Sequence, residues 1–196
     1  MDEMVARAMR KWPDVPNVFG WLRLDRRGNW LVKTRSGAFD RIGNRALTEF
    51  IGRNYAVDNE GRWYFQNGPQ RVFVSLDYTP WVYRIADNGN TLVVQNGDPV
   101  ARVGEILLDE AGSVLLVSEI GVGVVSDRDL APLIDRLEAE NPPLQAGELL
   151  AELAAPSQSV RLFGNKVGVA RVQCQSIAMR FGFNPRPVAP SGTPDC

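Results

Sequence analysis

The chain has 196 residues, 44% of them apolar and 23% charged, a composition typical of an ordinary globular protein with room for one large domain or two small ones. It contains no histidine, which excludes serine–histidine and cysteine–histidine catalysis and most zinc sites. Its net charge is −1 with no clustered basic stripe, so nucleic acid is not an expected partner.

Asp2 to Lys11 has apolar Val5, Ala8 and Met9 at helical spacing and reads as a short helix docked by Trp12. Pro13 and Pro16 enforce an extended link over the rest of residues 1–17. Trp21–Leu24 and Trp30–Lys33 flank the turn cluster Asp25-Arg26-Arg27-Gly28-Asn29, which predicts a β-hairpin with Leu22 and Leu24 on one face and Trp21 and Arg23 on the other. Ala46, Leu47, Phe50 and Ile51 form one face of a helix behind an Asn44 cap. Strands over 62–66, 71–76, 81–86 and 91–95, separated by turn-rich tetrapeptides, predict an antiparallel meander that closes at Asn96-Gly97-Asp98-Pro99.

A second hairpin follows over 105–108 and 114–117. A helix carrying Leu130, Leu133, Ile134 and Leu137 comes next, stopped by Asn141-Pro142-Pro143, and then an additional short helix over 147–155. Strands are expected over 159–163, 168–174 and 177–183, with Cys174 a buried, inert thiol and Cys196 unpaired. The end, 186–196, is rich in Pro, Ser and Gly and is expected to be disordered.

The two hairpins align at a constant offset of 84. Gly20, Leu22, Leu24, Asp25, Gly28 and Leu31 fall on Gly104, Ile106, Leu108, Asp109, Gly112 and Leu115, and Gly37 falls on Gly121. After a one-residue slip, Asn44 and its helix match Asp127 and the helix that follows it. The expected fold is therefore α+β: two repeated β-hairpin–helix–antiparallel meander units, 18–97 and 98–185, with short helices packed on the sheets. The copies differ where Trp21, Arg23 and Lys33 correspond to Glu105, Leu107 and Val117, so Leu107 and Val117 are expected to be covered. Residues 1–86 carry 14 basic against 9 acidic side chains and residues 87–196 carry 8 against 14, a complementarity that suits a monomer closed on itself or a homodimer.

Nothing in the sequence spells out a reaction. Gly121-Val122-Gly123 lacks the third glycine of a dinucleotide loop, and Gly164-Asn165-Lys166 lacks the glycine that a Walker loop requires. No acidic cluster has calcium-loop spacing, so neither metal nor cofactor is expected. The densest unusual segment is Arg62 to Gln70 with Asp77-Tyr78-Thr79-Pro80-Trp81, where aromatics and amides gather at strand ends. Tyr64, Gln66, Tyr78 and Trp81, with Arg41 near the first helix start, are the candidate ligand-binding residues; no catalytic residue is assigned. The longest uncharged apolar-rich run, Ile120 to Ser126, is far short of the roughly 20 residues that span a bilayer. Met1-Asp2-Glu3-Met4 is acidic where a secretion signal is basic, so a cytoplasmic location without membrane partners is expected.

Gly28-Asn29-Trp30, the Ala46–Ile51 helix, Asp58…Gly61-Arg62-Trp63-Tyr64 and Val72-Phe73-Val74…Asp77-Tyr78-Thr79-Pro80-Trp81 together resemble proteobacterial proteins catalogued as a domain of unknown function. That resemblance implies repeated α+β motifs and a part in signal transduction, and it brings no catalytic residues. The expected function is a non-catalytic module that binds a small molecule or a protein. The alternative is a small hydrolase or transferase using carboxylates and Arg.

Overall fold

The computed structural model describes residues 1–139 and 158–190. They are mostly strands with a few short helices, an α+β fold, and they divide into two compact units. The first comprises residues 1–25, 29–80 and the segment from Gly182 onward; the second comprises Arg26–Gly28 and Trp81–Phe181.

In the first unit, helix α1 (Glu3–Lys11) precedes strands β1 (Val18–Leu24), β2 (Trp30–Lys33) and β3 (Phe39–Arg41). Helix α2 (Arg45–Arg53) then leads into β4 (Tyr55–Val57), β5 (Trp63–Asn67) and β6 (Gln70–Leu76). The sheet order is β3-β2-β1-β6-β5-β4, antiparallel except for the central β1–β6 pair. Those two strands are far apart in sequence, and the intervening strands and helix supply the long crossover that parallel pairing needs. Leu22, Leu24, Trp30, Val74 and Leu76 are buried, as strand alternation predicts for one face. Around them Trp30 meets Tyr55 edge-on at 5.1 Å, and Phe50 of α2 meets Phe65 at 5.4 Å. Elsewhere in the sheet Phe73 is wholly buried and stacked against Phe19 at 4.5 Å.

Asn44 caps α2 as expected, its side-chain oxygen accepting from the Leu47 amide at 3.1 Å. Helix α1 is anchored through Val5 and through the Asp2 amide, which donates to Asn54 Oδ1 at 2.8 Å. Trp12 does not dock it: the indole is 51% exposed and lies beneath the Lys11 ammonium at 4.5 Å, a cation–π pair that holds it at the surface.

The second unit contains β7 (Trp81–Ile85), β8 (Leu92–Val94), β9 (Val103–Asp109), β10 (Val114–Ser118) and β11 (Val122–Val125). Helix α3 (Leu130–Ile134) follows, then β12 (Leu137–Ala139), β13 (Gln158–Leu162), β14 (Asn165–Val172), a 3₁₀ turn (Cys174–Ser176) and α4 (Ile177–Arg180). The order is β12-β13-β14-β9-β10-β11-β7-β8, with parallel pairs β9–β14 and β7–β11. Ile106, Leu107, Leu115 and Leu116 are all buried, so the centre of this sheet is covered on both faces. Leu107 is covered as expected, while Val117 is half-buried.

Several sequence expectations are corrected here. The sheets are mixed rather than antiparallel, and the supposed four-strand meander is split: β5–β6 belong to the first sheet and β7–β8 to the second. The expected boundary near residue 97 gives way to a division between Pro80 and Trp81. The helix expected through Leu137 ends at Ile134, because Leu137 begins β12 and pairs with Leu162. Residues 177–180 are helical rather than extended, anchored by buried Ile177. Cys174 is exposed, since it sits in the 3₁₀ turn beyond β14. Part of the supposed tail is ordered, with Pro187 buried in the first unit. The helix expected over 147–155, and Cys196, lie outside the described residues.

The hairpins keep the register that the sequence offset requires. Leu24 opposes Trp30 as Leu108 opposes Val114, and Asp25 and Asp109 each donate an amide to the carbonyl four residues on, at 3.1 Å in both. The third strands follow with the one-residue slip, Arg41 opposite Leu31 and Val124 opposite Leu115. In both sheets the neighbours run third, second, first, sixth, fifth, fourth, counting from β1 and from β9.

Candidate functional site

A cavity of about 300 Å³ opens in the second unit. Its rim carries Arg26, Arg27, Ser113 and Asp127, and its floor includes Val124, Val125 and Leu130. The wall at 109–113 is rigid for local reasons. The Asp109 carboxylate accepts from the amides of Ala111 at 2.9 Å and Ser113 at 2.7 Å, and Gly112 takes the left-handed conformation (φ +80°) that closes the turn. Arg26 Nη2 donates to Ser113 Oγ at 2.5 Å. Arg27 grips Asp127 through two nitrogens, Nη2 at 2.5 Å and Nε at 2.9 Å, the fork geometry of a strong guanidinium–carboxylate pair. Hydrogen bonding from Arg27 holds Asp127 below its ordinary carboxylate pKa. Among the described residues the rim thus sets two cations against one anion over an apolar floor.

A second cavity of about 210 Å³ is lined by Asn90, Thr91, Arg102, Phe163 and Asn165 among others. One wall is pinned by Glu119, whose carboxylate accepts from the amides of Ala101 at 2.6 Å and Arg102 at 3.1 Å. Burial works against that charge, and the two amides outweigh it, so the carboxyl sits below its usual range. Phe163 joins Gly164 in the two-residue turn between β13 and β14 with φ +50°, a conformation costing a bulky side chain on the order of 1–2 kcal/mol.

The residues expected to form an aromatic recognition surface are mostly inside. In β5, Tyr64 is buried beneath the Arg71 guanidinium at 4.6 Å. Gln66 is wholly buried, donating to the Gly68 carbonyl at 2.9 Å, while its Oε1 has no hydrogen-bond partner among the described residues. Tyr78 is half-buried in the 77–80 loop, and Arg41 is exposed on edge strand β3. Trp81 is buried in the second unit, its ring against the backbone of Gly121. The structure brings none of these five to either cavity. Sequence reasoning missed Arg26, Arg27, Ser113 and Asp127: it read the two arginines only as part of a turn cluster and Asp127 only as the start of a helix; adjacent arginines at a turn tip were the available signal.

The other perturbed groups are held in structural pairs. Asp58 accepts from the Glu60 and Arg62 amides and from Arg62 Nε at 2.8 Å, so these bonds keep it low against the opposing effect of burial. Glu60 also meets Arg62, at 3.0 Å, so the two carboxylates clamp a guanidinium rather than face each other. The Cys174 thiol is raised, chiefly by its hydrogen bond with Glu110, which keeps it protonated and poorly nucleophilic. Among the described residues no group of His, Cys, Asp and Glu has the arrangement to hold a metal ion.

Comparison with known families places the chain. A family model described as "Protein of unknown function (DUF2946)" matches residues 1–188. The chain belongs to that uncharacterised family. Among solved structures it is similar to the crystal structure of a DUF1285 family protein from Silicibacter pomeroyi DSS-3, with 16% identity and a TM-score of 0.49 over 86% of this chain and 94% of that one. No curated protein matches it. No described helix is long and apolar enough to cross a membrane.

Proposed function

We propose that this family member is a non-catalytic regulatory module of the bacterial cytoplasm that binds a small anionic ligand at the Arg26–Arg27 cavity. The observation carrying this reading is the rim itself: two guanidiniums and a hydroxyl around an apolar floor, with Asp127 as the single carboxylate among the described lining residues. An enzyme built on carboxylates needs one of them held protonated or poised. Each carboxylate with a shifted pKa in the described residues is instead lowered and engaged by Arg, Asn or amide and thiol donors. We also infer that the two hairpin-led units arose by internal duplication, on the strength of the shared register and strand order. Divergence then left the arginine tip only in the first copy's hairpin, where the second has Glu110 and Ala111.

The test is a thermal-shift titration with inorganic phosphate and small dicarboxylates. A ligand at a hundred times its Kd stabilises the native state by about 2.7 kcal/mol. Wild-type protein should gain Tm, and Arg26→Gln should lose that gain while keeping its unliganded Tm within a degree or two. An equal gain in wild type and Arg26→Gln would remove the site from consideration.

A further inference from the structure

The first unit is completed by a segment from the far end of the chain. After α4 the backbone passes through Gly182, which is exposed and takes a left-handed conformation (φ +66°). The next residues lie in a groove of the first unit. The Asn184 amide donates to the Gly61 carbonyl at 2.8 Å, and the Leu76 amide at the end of β6 donates to the Pro185 carbonyl at 2.8 Å. Arg62 and Asn184 pair as a parallel bridge, and Phe183 and Pro187 are buried. Gly61 is shaped for this visitor. A β-carbon there would lie 2.2 Å from the Gly182 carbonyl oxygen, and its own φ of +72° disfavours any side chain.

We propose that this groove is an exchange interface, and that its partner in trans is the same segment, Gly182–Pro190, of a second copy of this chain. The recognition chemistry is main-chain pairing at two points plus burial of a phenylalanine and a proline, and any groove that accepts a segment in cis accepts the identical segment of a neighbour. A solvent-exposed glycine at the exit from α4, in the left-handed conformation, supplies the hinge that lets the segment leave one copy for another. The proposal is independent of the cavity reading, since it uses none of the same residues.

The experiment is a complementation between two full-length variants. Gly61→Ala blocks the groove and leaves the segment intact; Phe183→Ala with Asn184→Pro spoils the segment and leaves the groove intact. Each is brought to tens of micromolar, checked for fold by circular dichroism and sized by light scattering, alone and mixed. Each variant alone should remain monomeric, and the mixture should give a 1:1 heterodimer at twice the monomer mass. Absence of the heterodimer from a mixture of two folded variants overturns the proposal, and so does dimerisation of Gly61→Ala or of the segment variant by itself. If either variant fails to fold, wild-type chains labelled with light and heavy nitrogen are mixed, and native mass spectrometry should find mixed dimers that excess synthetic Gly182–Pro190 peptide dissociates; dimers unmoved by the peptide, or none at all, overturn it equally.

Discussion

Gly123 shows how closely a single residue can be specified by its neighbours. It lies opposite Trp81 in the parallel β7–β11 pair, and a β-carbon there would fall 2.6 Å from the Tyr83 ring and 2.7 Å from the Trp81 carbonyl oxygen. Gly123→Ala should therefore cost about 1–3 kcal/mol by overpacking. Gly104→Ala, which meets only the Val117 carbonyl oxygen at 3.7 Å, should change stability by less than about 0.5 kcal/mol. Urea denaturation of the two variants checks the contrast. The Gly121-Val122-Gly123 run, tested in the sequence for a nucleotide loop, owes both glycines to aromatic rings packed against them. Tyr83 adds a pH signature. Its hydroxyl donates to the Gly121 carbonyl at 2.6 Å and lies 2.7 Å from Ser118 Oγ, and burial pushes its pKa up to about 12. Its folded pKa exceeds its unfolded value near 10, so the native state keeps a proton that the unfolded chain releases, and stability falls as pH rises from about 10 to about 12. Stability measured across that window should decline less steeply in Tyr83→Phe than in wild type. Below pH 9 the same substitution should cost about 1 kcal/mol, the loss of one of the two hydrogen bonds that the Gly121 carbonyl accepts, the other coming from the Ser118 amide at 3.1 Å.

At the level of elements, what was legible in the sequence is what depends on near neighbours. Both hairpins follow from Leu-Asp…Gly spacing, because the aspartate closes the turn and the glycine occupies its left-handed position. Asn44 marks its helix for the same local reason. The parallel pairs β1–β6, β7–β11 and β9–β14 were not legible, since each joins strands separated by other elements and neither partner's alternation names the other. Residues 177–180 misled because four residues with one buried anchor fit a strand as well as a helix turn. The candidate site was illegible for a related reason: Arg26 and Ser113 meet across 87 positions. The turn that launches β5 allows a test of a local element. Asp58 holds three donors with its side chain 10% exposed, so Asp58→Ala should cost about 2–3 kcal/mol at pH 7. Because its folded pKa is depressed, the contribution of its charge is present above the unfolded value near 3.9 and is lost as pH falls through the folded one. The wild-type and alanine proteins should therefore converge in stability towards pH 2, which acid titration followed by circular dichroism would reveal.

For the whole molecule, the order of the chain and the order of its packing disagree. The first unit begins at the N-terminus yet contains residues from 182 onward, so it is complete only after the entire second unit has been synthesised. Removing everything after Phe181 would strip the first unit of Phe183 and Pro187 and of two backbone hydrogen bonds, one to Gly61 and one from Leu76. Burial of a phenylalanine is worth about 1.5–3 kcal/mol, and each hydrogen bond adds about 1, so the expected loss is on the order of 3–5 kcal/mol. The loss should fall on one unit. Hydrogen exchange at the Leu76 amide, whose acceptor is the Pro185 carbonyl, should accelerate at least a hundredfold in the truncated chain. Exchange at the Ser126 amide, which donates to the Tyr83 carbonyl within the second unit, should stay within a factor of three of its full-length rate. Equal acceleration at both amides would mean that the terminal segment stabilises the chain as one cooperative body; no acceleration at Leu76 would mean that its bond to Pro185 contributes nothing to the fold.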